Sequence, residues 1–533
     1  MTTNILIGVG GTGAKVVEAI LHAAAAGLGP ETLRVGFVDQ DQSNGNVSRA
    51  MRLLKTITET RQLWRAMGAH HRIDGGGATG SDLLYTDIRP LVAGAELWTP
   101  HQGQQVTLQR IIAPAAEDRP LFDALFAKGA DEQDMPLDEG YRGRPHIGSA
   151  AITAKVDQEA EFWRALIQQI RQSQGGSEVR LLFTGSVFGG TGAAGFPTLA
   201  RLVRRRLERE RITRNVTVGG VLMLPYFAFE APDDPDAAAA NVAKSEELLI
   251  QSRGALRYYD ALFAQEHIFD ELYLVGWNHV FDLGYHSPGA GSQENPPLAP
   301  ELIAALGACR FFSPDHEVEE GQVANQVFIS AREQDKAIGW SDLPSPNVES
   351  DAAYKKLGKM LRFSAAWKHW GPILAAPRSL FDRAVNRHPW FRAQGVHEVD
   401  YTNHAPGEEI SRLTHYVDDL VRWAGSIQAY ATNNTTKFDL WRVNDLTQGP
   451  PRFNTPLDLL TLKPKLEEAE FGQAFNRIVV EKPGADALPS ANDLTRRLSE
   501  QTFEGNHVGM GRMVAALHAY SAVTTSNGNP RAV

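Results

Sequence analysis

The stretch Asn4-Ile-Leu-Ile-Gly-Val-Gly-Gly-Thr-Gly13 carries a short apolar run, Asn4 to Val9, into a glycine cluster. Apolar residues then recur at Val16, Val17, Ile20 and Leu21. A short apolar run reads as a strand and the following spacing as one face of a helix, so the unit is strand, tight turn, helix. The turn Gly8-Val9-Gly10-Gly11-Thr12-Gly13 fits G-x-G-x-x-G. Glycines let backbone approach a pyrophosphate closely, and a helix N-terminus offers free N–H groups and partial positive charge. A tight βα turn with no ligand is the plain alternative, which the strand before and the helix after make the weaker one. A second apolar run, Val35 to Val38, ends in Asp39-Gln40-Asp41. Together these units begin a doubly wound α/β fold.

Further along, an apolar stripe at Val156, Ala160, Trp163, Leu166, Ile167 and Ile170 predicts a helix. The strand candidate Val179 to Phe183 then enters a second glycine turn, residues 185 to 195, followed by helical spacing at Leu199, Leu202, Val203 and Leu207. Strands at Val216 to Leu224 and Leu272 to Val275 flank a helix near 243–256. Strands alternating with helices mean a mostly parallel, Rossmann-like sheet. Between about 50 and 140 the periodicity is irregular, and this stretch reads as an insertion. The glycine turn alone leaves the ligand open. A dinucleotide would use Asp39 on its ribose, whereas Asp39, Asp41, Asn46 and Arg49 are similar to the aspartates and Asn-x-x-Arg stretch of ubiquitin-activating-type adenylating enzymes.

Neither of those classes needs the second turn, Phe188-Gly189-Gly190-Thr191-Gly192-Ala193-Ala194-Gly195. Two such turns in one sheet resemble the tubulin and bacterial cell-division GTPase superfamily, whose signature is G-G-G-T-G-[ST]-G. The core Gly189-Gly190-Thr191-Gly192 is kept, while Phe188, Ala193 and Ala194 depart from the signature. Gly143-Arg144-Pro145-His146-Ile147-Gly148 stands where the family has a loop over the γ-phosphate. The likeness covers residues 1–50 and about 140–280 and is nearest to divergent bacterial tubulin-like proteins.

That resemblance implies a nucleotide domain over 1–297, a central helix over 298–312 and a second α+β domain over 313–520, while the small, polar stretch 521–533 reads as a flexible tail. It implies GTP or GDP between Gly10, Gly11, Thr12, Gly13 on one side and Gly189, Gly190, Thr191, Gly192 on the other. Gly143 and Gly148 would lie near the last phosphate, and Asp39 and Asp41 near the phosphates and a magnesium ion. Asn241 or Asn295 would read the base, although an Asn before a helix is commonly an N-cap. In polymerising members a neighbouring subunit supplies Asn-x-Asp-x-x-Asp/Glu to orient water. Here Asp315 with Glu317, Glu319 and Glu320, or Glu349 in Asn347-Val-Glu-Ser-Asp351, are imperfect echoes of it, so hydrolysis is expected to be weak or absent. The implied role is nucleotide-controlled self-assembly or partner binding.

Composition narrows the class. With 53 Lys+Arg against 63 Asp+Glu over 533 residues the net charge is −10, which disfavours a general nucleic-acid binder. The 43 % hydrophobic content can fill the cores of several domains. One cysteine, Cys309, makes neither an internal disulfide nor a cysteine zinc site, which fits a cytoplasmic protein. No apolar run approaches the roughly 20 residues of a membrane span, and the N-terminus lacks the features of a signal peptide. The arginines at 201, 204, 205, 206, 209 and 211 interleave with Glu208 and Glu210 and read as a solvated helix face. His397, Asp400 and His404 fit no common metal spacing.

Overall fold

The structure is a computed structural model and describes residues 2–66, 72–73, 77–78, 83–102, 106–129, 132–137, 140–141, 144–154, 160–172, 177–212, 215–230, 245–277, 280–285, 294–316, 337–347, 349–374, 378–395, 407–433, 438–449, 461–501 and 509–523. Its centre is a seven-stranded sheet built from β1 (Thr3–Val9), β2 (Thr32–Val38), β3 (Asp87–Pro90), β4 (Leu97–Trp98), β5 (Val179–Ser186), β6 (Val216–Met223) and β7 (Glu271–Val275). The order is β7-β6-β5-β1-β2-β3, with β4 also on β2, and every pairing is parallel. Parallel strands are covered on both faces, hence continuously apolar: β5 is buried at every position.

The chain builds outward from β1 through β2 to β3, then returns to lay β5 on the other side of β1. The order therefore reverses between β1 and β5. In open α/β sheets ligands sit at the carboxyl ends of the strands flanking such a reversal. Both glycine turns lie there, at the ends of β1 and β5.

The helices fill the layers. Helix α1 (Gly10–Ala25) packs on α2 (Gly45–Ala66), and α3 (Pro145–Ala154) and α4 (Glu161–Gln172) precede β5. Helix α5 (Gly190–Arg209) packs on α3, α6 (Ser245–Gln265) joins β6 towards β7, and α7 (Ala299–Phe311) lies along α1 where the central helix is expected. The start of the expected helix at Val156 lies outside the described residues. The stretch 50–140, expected as an insertion, in fact completes the sheet: it holds most of α2 together with β3 and β4. Its strands were hidden because β3 is four residues long and ends in Pro90, and β4 is two residues long.

Beyond residue 337 come mainly helices, among them α8 (Ala352–Leu374), α9 (Gly407–Asn433), α10 (Glu468–Arg477), α11 (Ala491–Glu500) and α12 (Gly509–Tyr520). These share one continuous apolar core with the sheet. Helix α9 packs on α2, where the Trp64 indole donates to the Glu409 carbonyl at 3.0 Å and Thr60 donates to the Arg412 carbonyl at 3.3 Å.

One contact of that layer carries a pH signature. His22 of α1 is buried against Trp423 and Tyr416, with ring centroids 4.9 and 6.1 Å away, and neither ring nitrogen has a hydrogen-bond partner. Burial, with the Arg49 charge adding to it, holds its pKa down at about 3. The unfolded chain binds a proton below its ordinary value of about 6.5, which the folded chain refuses, so stability falls as pH drops from there towards 3. Replacing His22→Leu removes that term. Urea unfolding at pH 7 and pH 5 should show the variant gaining on the parent by about 1 kcal/mol or more in acid. A difference independent of pH would refute the assignment.

Candidate functional site

Helix α1 starts directly after β1, and α5 starts three residues after β5, so the glycines of both signatures lie mostly in first helical turns. Gly10 has φ +71° and Gly189 φ +83°, conformations that side-chain-bearing residues avoid. The two turns touch: a Cβ on Gly10 would lie 2.8 Å from the Gly192 nitrogen. Gly13 brings α1 against β5, where a Cβ would lie 2.5 Å from the Thr184 carbonyl oxygen. Neither helix start is capped by a side chain, and neither first turn carries an acid. Each therefore presents uncapped N–H groups and the positive end of a helix of 16 or 20 residues. Around them nearly everything is buried, while Gly11, Thr12, Gly189 and Gly190 stay partly open to solvent. Two uncapped N-termini converging at a sheet reversal have the polarity to hold an anion.

The ends of β2 close one side. Asp39 is 2 % exposed. Its Oδ1 accepts the Asp41 N–H at 3.2 Å, and its Oδ2 has no hydrogen-bond partner. Burial pushes this carboxyl up to about 7, opposed by the Thr191 hydroxyl and assisted by the Asp41 charge. Asp41 accepts from the Ser43 N–H at 2.9 Å and the Ser43 hydroxyl at 2.8 Å. Between them Gln40 bonds the His101 and Leu137 carbonyls, at 2.9 and 3.0 Å, tying this corner to the later chain.

The third motif arrives through packing. Gly148 of α3 fits against the Ala194 methyl and the Tyr141 ring, each 2.6 Å from where its Cβ would be. Tyr141 lays its backbone and Cβ on Gly190, 2.8 to 3.1 Å from a Cβ there. Its hydroxyl is buried without a partner, and burial, then the Asp39 charge, push its pKa up. Gly143 lies outside the described residues, as do Asn241 and the acids at 317, 319 and 320.

Asn295 is brought to the first turn through one residue. Asn46 accepts the Asn295 N–H at 2.8 Å, while its amide lies 3.2 Å from a Cβ built on Gly11. Asn44 also adjoins Gly11, and its Oδ1 caps α2 by accepting the N–H groups of Asn46 and Val47. Behind this corner lies a buried ionic network. Arg49 grips Glu18 with two bonds of 2.8 Å and reaches Glu294 at 3.3 Å. Lys15 meets Glu301 at 2.6 Å with both side chains fully buried.

Asp315 and Glu349 are not brought to the turns. Arg180, at the start of β5, holds the end of α7 through the carbonyls of Phe311 and His316, both at 2.9 Å. Asp315 therefore sits at the amino-terminal edge of the sheet, about 20 Å along β5 from Ser186 at 3.3 Å per residue. Glu349 precedes α8 and pairs with Lys355. The arginine run, expected as a solvated face, is largely tied down by acids: Arg201 and Arg205 with Glu266, Arg204 with Asp270, Arg206 with Glu210.

Sequence reasoning missed Tyr141, Asn44 and Lys15. Tyr141 carries no motif, and only its burial between two glycines reveals it. Among the described residues no group of three or more His, Cys, Asp or Glu could hold a metal ion, and the triplet at 397, 400 and 404 lies outside them. No described helix is long and apolar enough to cross a membrane. The residues thus define a Rossmann-like α/β chain in which two glycine-lined helix starts meet at the sheet reversal. No protein-family model matches the chain, and no curated protein matches it either.

Proposed function

We propose that the chain is a tubulin-like guanine-nucleotide-binding protein whose nucleotide state controls self-assembly or partner binding. The observation that carries this is the meeting of two uncapped, glycine-lined helix starts, Gly10 against Gly192, at the reversal of the sheet. Phosphates would lie against Gly10–Gly13 and Gly189–Gly192, and the base would lie towards Asn46 and Asn295. Asp39 and Asp41 would face a magnesium ion arriving with the nucleotide, and the unpartnered Asp39 oxygen suits such a cation. The other ligand classes fit less well. The Arg49 fork is occupied by Glu18, so it is not free for an adenylating enzyme's phosphate. Cys309 is buried with its thiol pushed up to about 12, which makes it a poor nucleophile. A dinucleotide would not need the second turn, Gly189–Gly192.

Titration with fluorescent GTP, ATP and NAD tests the reading. GTP should bind in preference to both others, and a preference for NAD would overturn it. Hydrolysis should be slow, because neither Asp315 nor Glu349, the echoes of a water-orienting loop, is brought to the turns. A rate rising steeply with protein concentration would contradict this and would point to Asp315 acting on a neighbour's nucleotide from the opposite edge of the sheet. Sedimentation without nucleotide, with GDP and with a non-hydrolysable GTP analogue should separate by the roughly 5- to 150-fold typical of coupled binding. Identical distributions in all three would leave the nucleotide a structural cofactor.

A further inference from the structure

Two exposed features away from the glycine turns are chemically complementary. The first is a groove of about 310 Å³ between α4 and α5, floored by the half-buried Leu202 and the edges of the otherwise buried Trp163 and Ile167, and rimmed by Arg164, Gln168, Arg171 and Arg206. Arg171 and Arg206 share one carboxylate, Glu210, which leaves the rim with excess positive charge on a chain of net charge −10. Arg164 is exposed and has no ion-pair partner among the described residues. The Trp163 indole N–H is buried and unpartnered.

The second is the short helix Arg119–Leu125. Phe122 points into the core, while Leu121 and Leu125 are 63 % and 62 % exposed. They stand four residues apart, hence on one face of the helix, and Glu117 lies in the turn that precedes it. Arg119 and Lys128 are both held by Asp123, at 2.8 and 2.9 Å. Glu117 and Asp118, both exposed, are left as the outward charges of this knob; Asp118 makes no side-chain cap. Two exposed leucines beside two free acids are the counterpart of an apolar floor with a basic rim.

We propose that the Arg119–Leu125 knob of one copy docks into the α4–α5 groove of a second copy. The contact is heterologous: knob and groove are different surfaces, so each copy keeps one of each and the chain can grow. A single knob is small against the roughly 1,000 Å² of a stable interface, so the pairwise contact is weak and salt-sensitive. It is a surface for self-association apart from any that the nucleotide controls, so it can fail independently of nucleotide binding.

The test is sedimentation equilibrium of the full chain without nucleotide, for the parent, Leu125→Glu and Arg164→Glu. Both substitutions are at exposed positions, and circular dichroism should confirm an unchanged fold. Each variant alone should associate at least about 10-fold more weakly than the parent. Mixed, they should form a one-to-one heterodimer, because the knob of R164E is intact and so is the groove of L125E. Added salt should weaken that dimer. A parent that stays monomeric, variants that associate like the parent, or a mixture that stays monomeric would each overturn the proposal. In the second case self-association would run through another surface, and the nucleotide reading would stand untouched.

Discussion

Gly11→Val should lower guanine-nucleotide affinity by about 100-fold, roughly 2.7 kcal/mol, in a protein that still folds. Gly11 has an ordinary helical backbone conformation, so a side chain there causes no backbone strain. A Cβ at this position meets the Asn44 amide at 2.7 and 3.1 Å and the Asn46 amide at 3.2 Å. These are the ends of side chains that can swing away, though moving Asn44 gives up the cap of α2, a loss of about 1 kcal/mol. The valine methyls then occupy the partly open space between the turns, where phosphates must approach backbone. Gly190→Val is expected to differ. Its Cβ would stand 2.8 Å from the Tyr141 Cβ and 2.9 Å from its carbonyl carbon, and backbone cannot swing away. That variant should lose nucleotide binding and several degrees of melting temperature together. Fluorescent-GTP titration alongside thermal unfolding separates the two cases. A folded G11V that binds GTP like the parent would remove the phosphates from this site.

The parts legible in the sequence were those where one segment carries its own signal. Asn4–Gly13 and Val179–Gly192 each join a continuous apolar run to glycines, because a parallel strand is buried on both faces and its turn admits backbone only. The turns proved tighter than the motif suggested: no residue separates Val9 from the helix at Gly10. Signals shared between distant segments were not legible. β3 and β4 are strands only because β2 supplies their hydrogen bonds, and Pro90 would argue against a strand anywhere but an edge. Gly148 was legible as a glycine, yet the reason for it, the Tyr141 ring on one side and Ala194 on the other, requires three segments at once. The arginines of α5 read as a solvated face, and their partners Glu266 and Asp270 lie more than 60 residues away.

Lys15 and Glu301 form a fully buried ion pair, and breaking it should cost more stability than any surface substitution. Lys15 lies two residues after Gly13 and Glu301 in the first turn of α7, so their 2.6 Å contact joins the helix of the first glycine turn to the helix behind it. Tyr226 donates to the same carboxylate at 2.6 Å, as does the Leu298 N–H at 2.9 Å. The ammonium also stands 5.5 Å and 5.3 Å from the Tyr226 and Phe227 ring centroids. Removing one partner of a buried pair strands a charge, typically at 3 to about 5 kcal/mol, whereas replacing both with apolar groups is often neutral. Glu301→Gln alone should thus be severely destabilising, and Lys15→Met with Glu301→Leu should recover much of the loss. The pH dependence identifies the stranded charge. Burial already holds the Lys15 pKa below its ordinary value even with Glu301 present, and Glu301→Gln withdraws the main influence that raises it. The unfolded chain then binds a proton that the folded chain lacks, so the stability of E301Q should climb as pH rises towards the ordinary lysine value of about 10.4. Denaturant melts of the parent, E301Q and the double variant between pH 7 and pH 9.5 measure this directly. If E301Q matches the parent at pH 7, or loses stability as pH rises, the ion pair does not hold α1 to α7.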